Sequence, residues 1–299
     1  NTASNAQIMG LHLEPSTLSN INVIGNKFYN QAGAPDPNFY YAMVTGDDLT
    51  DVINNSISIR GNSTVGITRA INILHNSINL HGSGPETSGI HYAIGYGDNI
   101  QNNNVSIKTT SAAGTTRRFV HNSNMQAEDA GNNVHIFDDG VSTTRYALNA
   151  ADQSEMSAIV STTTYVDAQF TDATTADLSL DGNSYTNSNL RTTPIDGVDT
   201  DILGNSRSAA APSKGAYEAP NRASDFLTFS IPQQVSEPVI NSENHTVLVA
   251  VNAGTSLNNL VPTFTISPGA NIDKASGDEQ DFTNPVSYFI TDEQEFAQQ

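Results

Sequence analysis

The sequence contains no cysteine, which excludes a disulfide framework, thiolate metal sites and cysteine nucleophiles. Basic residues are scarce as well: 12 Lys and Arg stand against 31 Asp and Glu, giving a formal net charge of −19. Such a surface repels nucleic acid and anionic lipid, so we expect neither as a partner. No apolar run approaches the roughly 18 residues that a spanning helix needs, so we predict no membrane span. Residues 1–5 do not resemble a signal peptide.

What is abundant is Asn, Ser, Thr, Gly and Asp, which favour turns and hydrogen bonds from side chain to backbone. Only 14% of the residues are charged and 37% are hydrophobic, a composition that favours many short strands over a helical bundle. Low hydrophobicity with high net charge is also typical of disorder, but alternating apolar residues argue against it. The 299 residues suffice for one large domain or two unequal ones.

Five segments in the first half of the chain can be superimposed with an Asn at the same position. They are residues 22–28, 51–57, 72–78, 99–105 and, more weakly, 119–125, and the shared residues are Asn26, Asn55, Asn76, Asn103 and Asn122. The steps between these Asn are 29, 21, 27 and 19 residues, so a constant motif is separated by variable loops. Self-similarity of this kind predicts a solenoid, whose units bury their apolar faces by stacking on one another.

Within the repeats, apolar residues alternate, as at Ile57 and Ile59 or Ile71 and Ile73, which indicates parallel strands with one face inward. Turn-rich insertions at 31–38 and 81–88 explain the variable step. We interpret the Asn column as a structural ladder. In this interpretation each Asn adopts the left-handed turn conformation, and its amide bonds to the Asn of the next turn. The alternative is that the column lines a binding groove.

The pattern changes after residue 183. Turn residues dominate 183–220, and the Asp residues there are of the type that binds Ca²⁺, but their spacing is weak evidence and surface turns explain them better, so we predict no cofactor. Strands are predicted at 226–231, 245–251, 261–266 and 285–290, a spacing typical of a small β-sandwich. We therefore predict an all-β protein with a parallel β-helix and its closing segment over 1–220 and a sandwich over 224–299.

The repeats, of which residues 70–80 are the clearest copy, resemble the rungs of right-handed parallel β-helix repeat proteins secreted by Bacteroidota-type bacteria. Residues 200–207 and 215–218 resemble the Thr-Asp-Ile-x-Gly-x-x-Arg and Gly-Ala-Tyr-Glu endings of those β-helices. Residues 244–286 resemble the bacterial immunoglobulin-like (Ig-like) modules of surface proteins in the same group. The resemblance implies a right-handed coil, an Ig-like sandwich and an extracellular or cell-surface location. With no recognisable cap before Ile21 and a last module that stops short of its final strand, we expect a piece of a longer polypeptide.

Parallel β-helices include polysaccharide lyases and glycosidases, so catalysis has to be weighed. Asp47-Asp48 and Asp138-Asp139 are acidic pairs that could serve as acid and base across a glycosidic bond. However, Gly-His-Gly and Arg-x-Lys motifs are absent, acidic turns explain both pairs, and the negative charge would repel an anionic substrate. The aromatic residues are suited either to stacking on sugars or to packing in the core, and core packing is favoured. They are Phe39, Tyr40, Tyr41, Tyr92 and Tyr96.

We predict a non-enzymatic protein of the bacterial cell surface, a stalk or adhesin that contacts extracellular polysaccharide or neighbouring protein modules. Two alternatives stay open. One is a polysaccharide-acting enzyme or its carbohydrate-binding part. The other is a subunit of an extracellular filament, joined by strand addition at an open sandwich edge.

Overall fold

A computed structural model describes most of the chain. The described residues are 7–13, 21–30, 39–45, 51–84, 90–111, 115–138, 140–181, 184, 187–219, 225–241, 244–267, 270–291 and 297–298. The chain divides into two compact units, Asn1–Ala219 and Pro220–Gln299. Each unit is described by itself below.

The first unit is a parallel β-solenoid of about four turns. Its strands are β1 (Gln7–Leu13), β2 (Asn22–Ile24), β3 (Lys27–Tyr29), β4 (Phe39–Thr45), β5 (Asp51–Ile53), β6 (Ser56–Arg60), β7 (Thr64–Leu74), β8 (Ser77–Gly84), β9 (Ile90–Gln101), β10 (Asn104–Ser111), β11 (Thr116–Val120), β12 (Asn133–Ile136) and β13 (Thr143–Arg145). Sheet A contains β1, β4, β7, β9, β11 and β13 together with β2 and β5, and sheet B contains β3, β6, β8, β10 and β12. All these pairings are parallel, which confirms the predicted β-helix, while its right hand stays a prediction.

The core lies between the two sheets and consists of apolar residues in register on successive strands. In sheet B, Ile57, Ile78, Val105 and Val134 form one fully buried stack. Burying each such side chain contributes about 1.5–3 kcal/mol, so the stack is a main source of stability. Ile71 departs from the prediction, because it is partly exposed. The middle of β7 pairs with two different strands, β4 and then β5, and there its inward positions no longer alternate strictly.

The turn from sheet A to sheet B places a left-handed residue directly before the column Asn. These residues are Gly25, Asn54, His75, Asn102 and Gly131, with φ between 51° and 71°. The sequence interpretation assigned this conformation to the column Asn itself, one position too late. The preceding residue turns the chain, and the side chain of the column Asn is thereby free to point along the stack.

Position 131 requires a glycine for a second reason. A Cβ atom there would overlap the side-chain oxygens of Asn102 and Thr192. Gly131→Ala should therefore lower the free energy of unfolding by about 2–4 kcal/mol, as backbone strain and a steric clash add. Gly140→Ala is the matched control, because Gly140 has φ 69° but open space around it. Urea unfolding of both variants measures the difference; equal losses would contradict the clash.

The insertion predicted at 81–88 is wrong in its first half, since β8 continues to Gly84 by pairing with β10. The remainder, like the insertion at 31–38, lies outside the described residues. After the last turn come α1 (Gln153–Ile159), β14 (Phe170–Asp172), a 3₁₀ helix (Ala173–Thr175), β15 (Asp177–Leu180) and a second 3₁₀ helix (Ser188–Leu190). The segment after β14 lies against sheet B, where Ser56 Oγ donates to Ala176 O at 2.6 Å.

The second unit consists of small antiparallel sheets. Its strands are β16 (Phe226–Ser230), β17 (Val239–Asn241), β18 (Thr246–Leu248), β19 (Thr263–Ile266), β20 (Asn271–Ile272), β21 (Ile290–Thr291) and β22 (Ala297–Gln298). β16 pairs with β19, β17 with β18, and β21 lies between β20 and β22. Of the strand predicted at 285–290 only Ile290 belongs to a sheet, because Asp273 Oδ1 accepts the Phe289 N–H at 2.9 Å. An Ig-like sandwich stays a prediction.

Candidate functional site

The structure brings four of the five predicted column residues together as a continuous amide ladder. Each side-chain oxygen accepts both the backbone N–H and one amide N–H of the Asn one turn earlier. The hydrogen bonds between side-chain amides run from Asn26 to Asn55 at 3.1 Å, Asn55 to Asn76 at 3.0 Å, Asn76 to Asn103 at 3.0 Å, and Asn103 to Asn132 at 3.1 Å. The second amide hydrogen reaches a backbone carbonyl of the earlier turn, as from Asn76 to Val52 O at 2.9 Å. Asn26 is exposed, but Asn55, Asn76, Asn103 and Asn132 are fully buried, so this part of the ladder does not line a groove.

Asn122 is not part of this ladder, and the fifth place belongs to Asn132. Residues 116–120 form β11 of sheet A, so Asn122 lies beside Gly95, far before the turn, and its side chain is exposed. A better signal was present in the sequence. Residues 131–136 (Gly-Asn-Asn-Val-His-Ile) repeat the pattern of 102–107 (Asn-Asn-Asn-Val-Ser-Ile) with a step of 29 residues, the same as from Asn26 to Asn55.

The left-handed turn residues form a second column. Residues 191–218, which we call the closing segment, cover this column at Asn54, His75 and Asn102. Asn54 donates to Thr200 O at 2.8 Å, and Asn102 donates to Thr193 O at 2.9 Å. His75, between them in the stack, is fully buried and accepts from Asn102 Nδ2 at 3.0 Å. Burial and the nearby Arg207 charge lower the pKa of His75 to about 3. His75 is thus a turn residue, as the sequence indicated, and neutral at pH 7.

The segments that resemble β-helix endings, residues 200–207 and 215–218, help to hold the closing segment in place. Glu218 accepts from both Arg191 and Arg207 at 3.3 Å, and Arg207 also donates to Asn54 Oδ1 at 2.7 Å. Lys214 Nζ donates to Thr164 Oγ1 at 2.8 Å, and burial lowers the pKa of this lysine to about 8. Asp201 accepts the backbone N–H of Leu203, Asn205 and Glu218, so its carboxylate organises a turn. These contacts hold the closing segment against the solenoid.

The acidic residues weighed for catalysis do not form an accessible acid–base pair in the part of the chain that the structure describes. Asp138 is exposed and accepts from Gly140 N in a turn, while Asp47, Asp48 and Asp139 lie outside the described residues. Burial raises the pKa of Asp129, and the charges of Glu128 and Asp98 add to this shift. Both Asp129 oxygens, however, accept backbone N–H groups, of Ile100 at 2.9 Å and Gln126 at 2.8 Å. Asp129 is therefore a structural carboxyl group.

The outer face of sheet A is where exposed aromatic residues collect. Successive strands there place outward residues in one register, which we call the outer row: Met9, Tyr41, Val65, Tyr92, Arg118 and Arg145. Of these, Val65 is buried at 3% exposure. In the inward register one residue earlier, Tyr40 is 6% exposed, and Thr64, His91 and Arg117 are buried as well. Tyr41 and Tyr92 flank Val65, and burial together with Tyr41 raises the pKa of Tyr92. Both tyrosines are partly exposed.

Further rings extend the outer row on both sides. Phe39, 38% exposed, stacks on Tyr41 with ring centroids 6.5 Å apart, and His121 stacks on Tyr92 at 4.8 Å. Met9 and Ile90 are also exposed on these strands. The sequence analysis considered Phe39, Tyr41 and Tyr92 for sugar stacking but favoured core packing. Core packing is wrong for these three, because the structure places them together on one surface. Tyr40, by contrast, belongs to the core.

Polar groups accompany the rings on the same sheet. Arg118 Nη1 donates to His121 Nδ1 at 2.6 Å, and burial and the Arg118 charge lower the pKa of His121. Arg69 lies over the ring of Tyr96 at 5.0 Å. An amide row follows, in which Asn99 donates to Asn72 at 2.9 Å and Asn72 donates to Asp51 at 2.7 Å. Rings for stacking beside amide and guanidinium donors are what a sugar chain requires.

A cleft of about 800 Å³ lies in the second unit, lined mainly by apolar residues such as Val247, Val249 and Phe282. Its aromatic residues pack on one another: the rings of Phe226 and Tyr288 lie 5.4 Å apart at 86°. Because these rings pack against one another in edge-to-face contacts, we interpret the cleft as an opening in the core of the second unit. The better candidate site is the outer row.

The match to a known family lies in the second unit. Residues 226–299 match the family described as "SGBP, N-terminal", the N-terminal part of Bacteroidota surface glycan-binding proteins. A crystal structure from Bacteroides thetaiotaomicron, named as a candidate glycoside hydrolase, is 38% identical over 27% of this chain, with a TM-score of 0.25. The matched part spans 24% of that protein's length. The search of curated proteins finds no match.

No group of three or more His, Asp or Glu side chains among the described residues is arranged to hold a metal ion. None of the helices among them has the length and apolar character to cross a membrane.

Proposed function

We propose that this chain is part of a non-enzymatic protein of the bacterial cell surface that binds extracellular polysaccharide through the outer row of sheet A. The observation that carries the proposal is the alignment of Tyr41 and Tyr92, partly exposed and in register on one solenoid face. The match of residues 226–299 to a family of surface glycan-binding proteins supports both the ligand class and the location.

The geometry suits an extended sugar chain. Tyr41 and Tyr92 lie on β4 and β9 with β7 between them, two strand spacings or about 9.6 Å apart. Pyranose rings present apolar faces that stack on aromatic rings, and their hydroxyl groups pair with amides and guanidinium groups. A chain lying across the strands would meet a ring at two of its units.

Affinity electrophoresis of the purified chain in gels containing different polysaccharides tests the proposal. We expect retardation by at least one polymer, and we expect Tyr41→Ala and Tyr92→Ala each to weaken binding about fivefold to tenfold through lost stacking. Tyr29→Ala is the matched control, because Tyr29 is 48% exposed but lies on β3 of sheet B. Equal effects of all three variants, or oligosaccharides released from the polymer, would contradict the proposal.

A further inference from the structure

Two arginines stand side by side at one end of the outer row. Arg118 on β11 and Arg145 on β13 are direct partners in the parallel register, and the Arg118 position is in turn the partner of Tyr92 on β9. Like charges at adjacent positions of neighbouring strands destabilise a sheet. Their placement therefore calls for an explanation.

Neither guanidinium group is neutralised by a carboxylate among the described residues. Arg118 donates to the neutral ring of His121 at 2.6 Å. Arg145 donates through Nε to Ala147 O at 3.0 Å and through Nη2 to Leu148 O at 2.5 Å. By contrast, Arg191 and Arg207 share Glu218. The backbone and imidazole contacts hold the two groups in position while their positive charge stays unpaired.

The net charge of −19 does not cancel this local charge. Asp98, an acidic residue of the same sheet that lies next to Tyr96, is six positions beyond Tyr92 along β9, about 20 Å of extended chain. At physiological ionic strength the Debye length is about 8 Å, so carboxylates at that distance are largely screened. An anion on the outer row responds to the two nearest guanidinium groups.

From this geometry we infer that the polysaccharide is acidic, with carboxylate or sulfate groups that pair with Arg118 and Arg145 while its sugar rings stack on Tyr41 and Tyr92. The inference rests on the proposed function and narrows its ligand class. From Tyr41 to Arg145 the row covers four strand spacings, about 19 Å, so several sugar units lie on it at once. Guanidinium groups bind carboxylate and sulfate oxygens in pairs, which fixes the orientation of the chain.

The test compares four polymers on the intact chain: polygalacturonate with its carboxyl-reduced form, and dextran sulfate with dextran. We expect binding to one or both acidic polymers at least tenfold tighter than to the neutral partner. Arg118→Gln and Arg145→Gln should each weaken acidic binding about tenfold, the loss of a hydrogen-bonded charge. The salt dependence of affinity should also become less steep in the double variant. Arg60→Gln on β6 of sheet B is the control, expected to change neither quantity.

The outcomes distinguish a failure of the inference from a failure of the proposed function. Carboxylate-only or sulfate-only binding that falls with the Arg variants supports the inference and identifies the acidic group. Tyrosine-dependent binding of neutral polymers that the Arg variants leave unchanged overturns the inference but keeps the proposed function. Binding to none of a broad polysaccharide panel contradicts the proposed function itself. Arg118→Lys should retain the salt dependence with intermediate affinity, and circular dichroism confirms that each variant is folded.

Discussion

His75→Asn should make the solenoid markedly more resistant to acid. The pKa of His75 is about 3 in the folded chain and 6.5 as its ordinary value, so the unfolded chain binds the proton more readily. The contribution of neutral His75 to the free energy of unfolding is fully present above pH 6.5 and is lost as the pH falls toward 3. At pH 4.5 the loss amounts to about 3 kcal/mol, and the Asn variant escapes it. Asn54 and Asn102 show that Asn adopts the same left-handed conformation in the neighbouring turns.

Urea unfolding at pH 7.5 and pH 4.5, followed by circular dichroism, measures this difference. Between the two pH values, the free energy of unfolding should fall by about 3 kcal/mol more in the unsubstituted protein than in His75→Asn. His91, whose pKa burial lowers to about 4, contributes a similar loss to both proteins and is unaffected by the substitution. His12→Asn, at an exposed site on β1, serves as control. An identical pH dependence in parent and His75→Asn would show that His75 is not the acid-sensitive group.

Asn76→Ala should be among the most damaging single truncations in the ladder. Its oxygen accepts from the backbone and side chain of Asn55 at 2.9 and 3.0 Å, and its amide donates to Asn103 and to Val52 O. All of these groups are buried, and leaving a buried polar group unpaired costs about 1–3 kcal/mol. With several orphaned at once, we expect a loss of about 3–5 kcal/mol in the free energy of unfolding.

Asn122→Ala provides the matched control, because sequence alignment alone places Asn122 in the same column. Its side chain is exposed and outside the ladder, so the loss should stay below about 0.5 kcal/mol. Asn132→Ala, at the true fifth position, should lower stability more than Asn122→Ala. The three variants are compared by urea midpoint at neutral pH. Equal losses at positions 122 and 132 would mean that the ladder ends at Asn103.

The solenoid was predictable because its repeating signal is local. Each turn of the solenoid carries its own copy of the signal. Examples are the alternation at Ile57 and Ile59 and the Asn at positions 26, 55, 76 and 103. Which of two adjacent residues, such as Asn102 and Asn103, adopts positive φ was not predictable, since both suit a left-handed turn. The stacked neighbours decide it, because only the second residue can direct its amide along the stack.

The outer row was predictable only in part. Shifting a strand by one residue exchanges its faces, so adjacent residues such as Tyr40 and Tyr41 could not be assigned to core or surface without the register. Arg118 and Arg145 were not recognised, because their proximity depends on stacking strands that are 27 residues apart in sequence. The contacts of Asn54 and Asn102 with the closing segment join residues that are still farther apart in the sequence. No periodic pattern in the sequence indicates these contacts.

Those separations also set an order of assembly. Asn in neighbouring turns of the ladder are 21 to 29 residues apart, whereas Asn54 reaches Thr200 across 146 residues and Ser77 reaches Ala216 across 139. Closing a short loop costs less entropy, so we expect neighbouring turns to stack before the contacts of the closing segment form. Until those contacts form, Asn54, His75 and Asn102 would be open to water. We therefore expect the folding of this solenoid to finish with the docking of its closing segment.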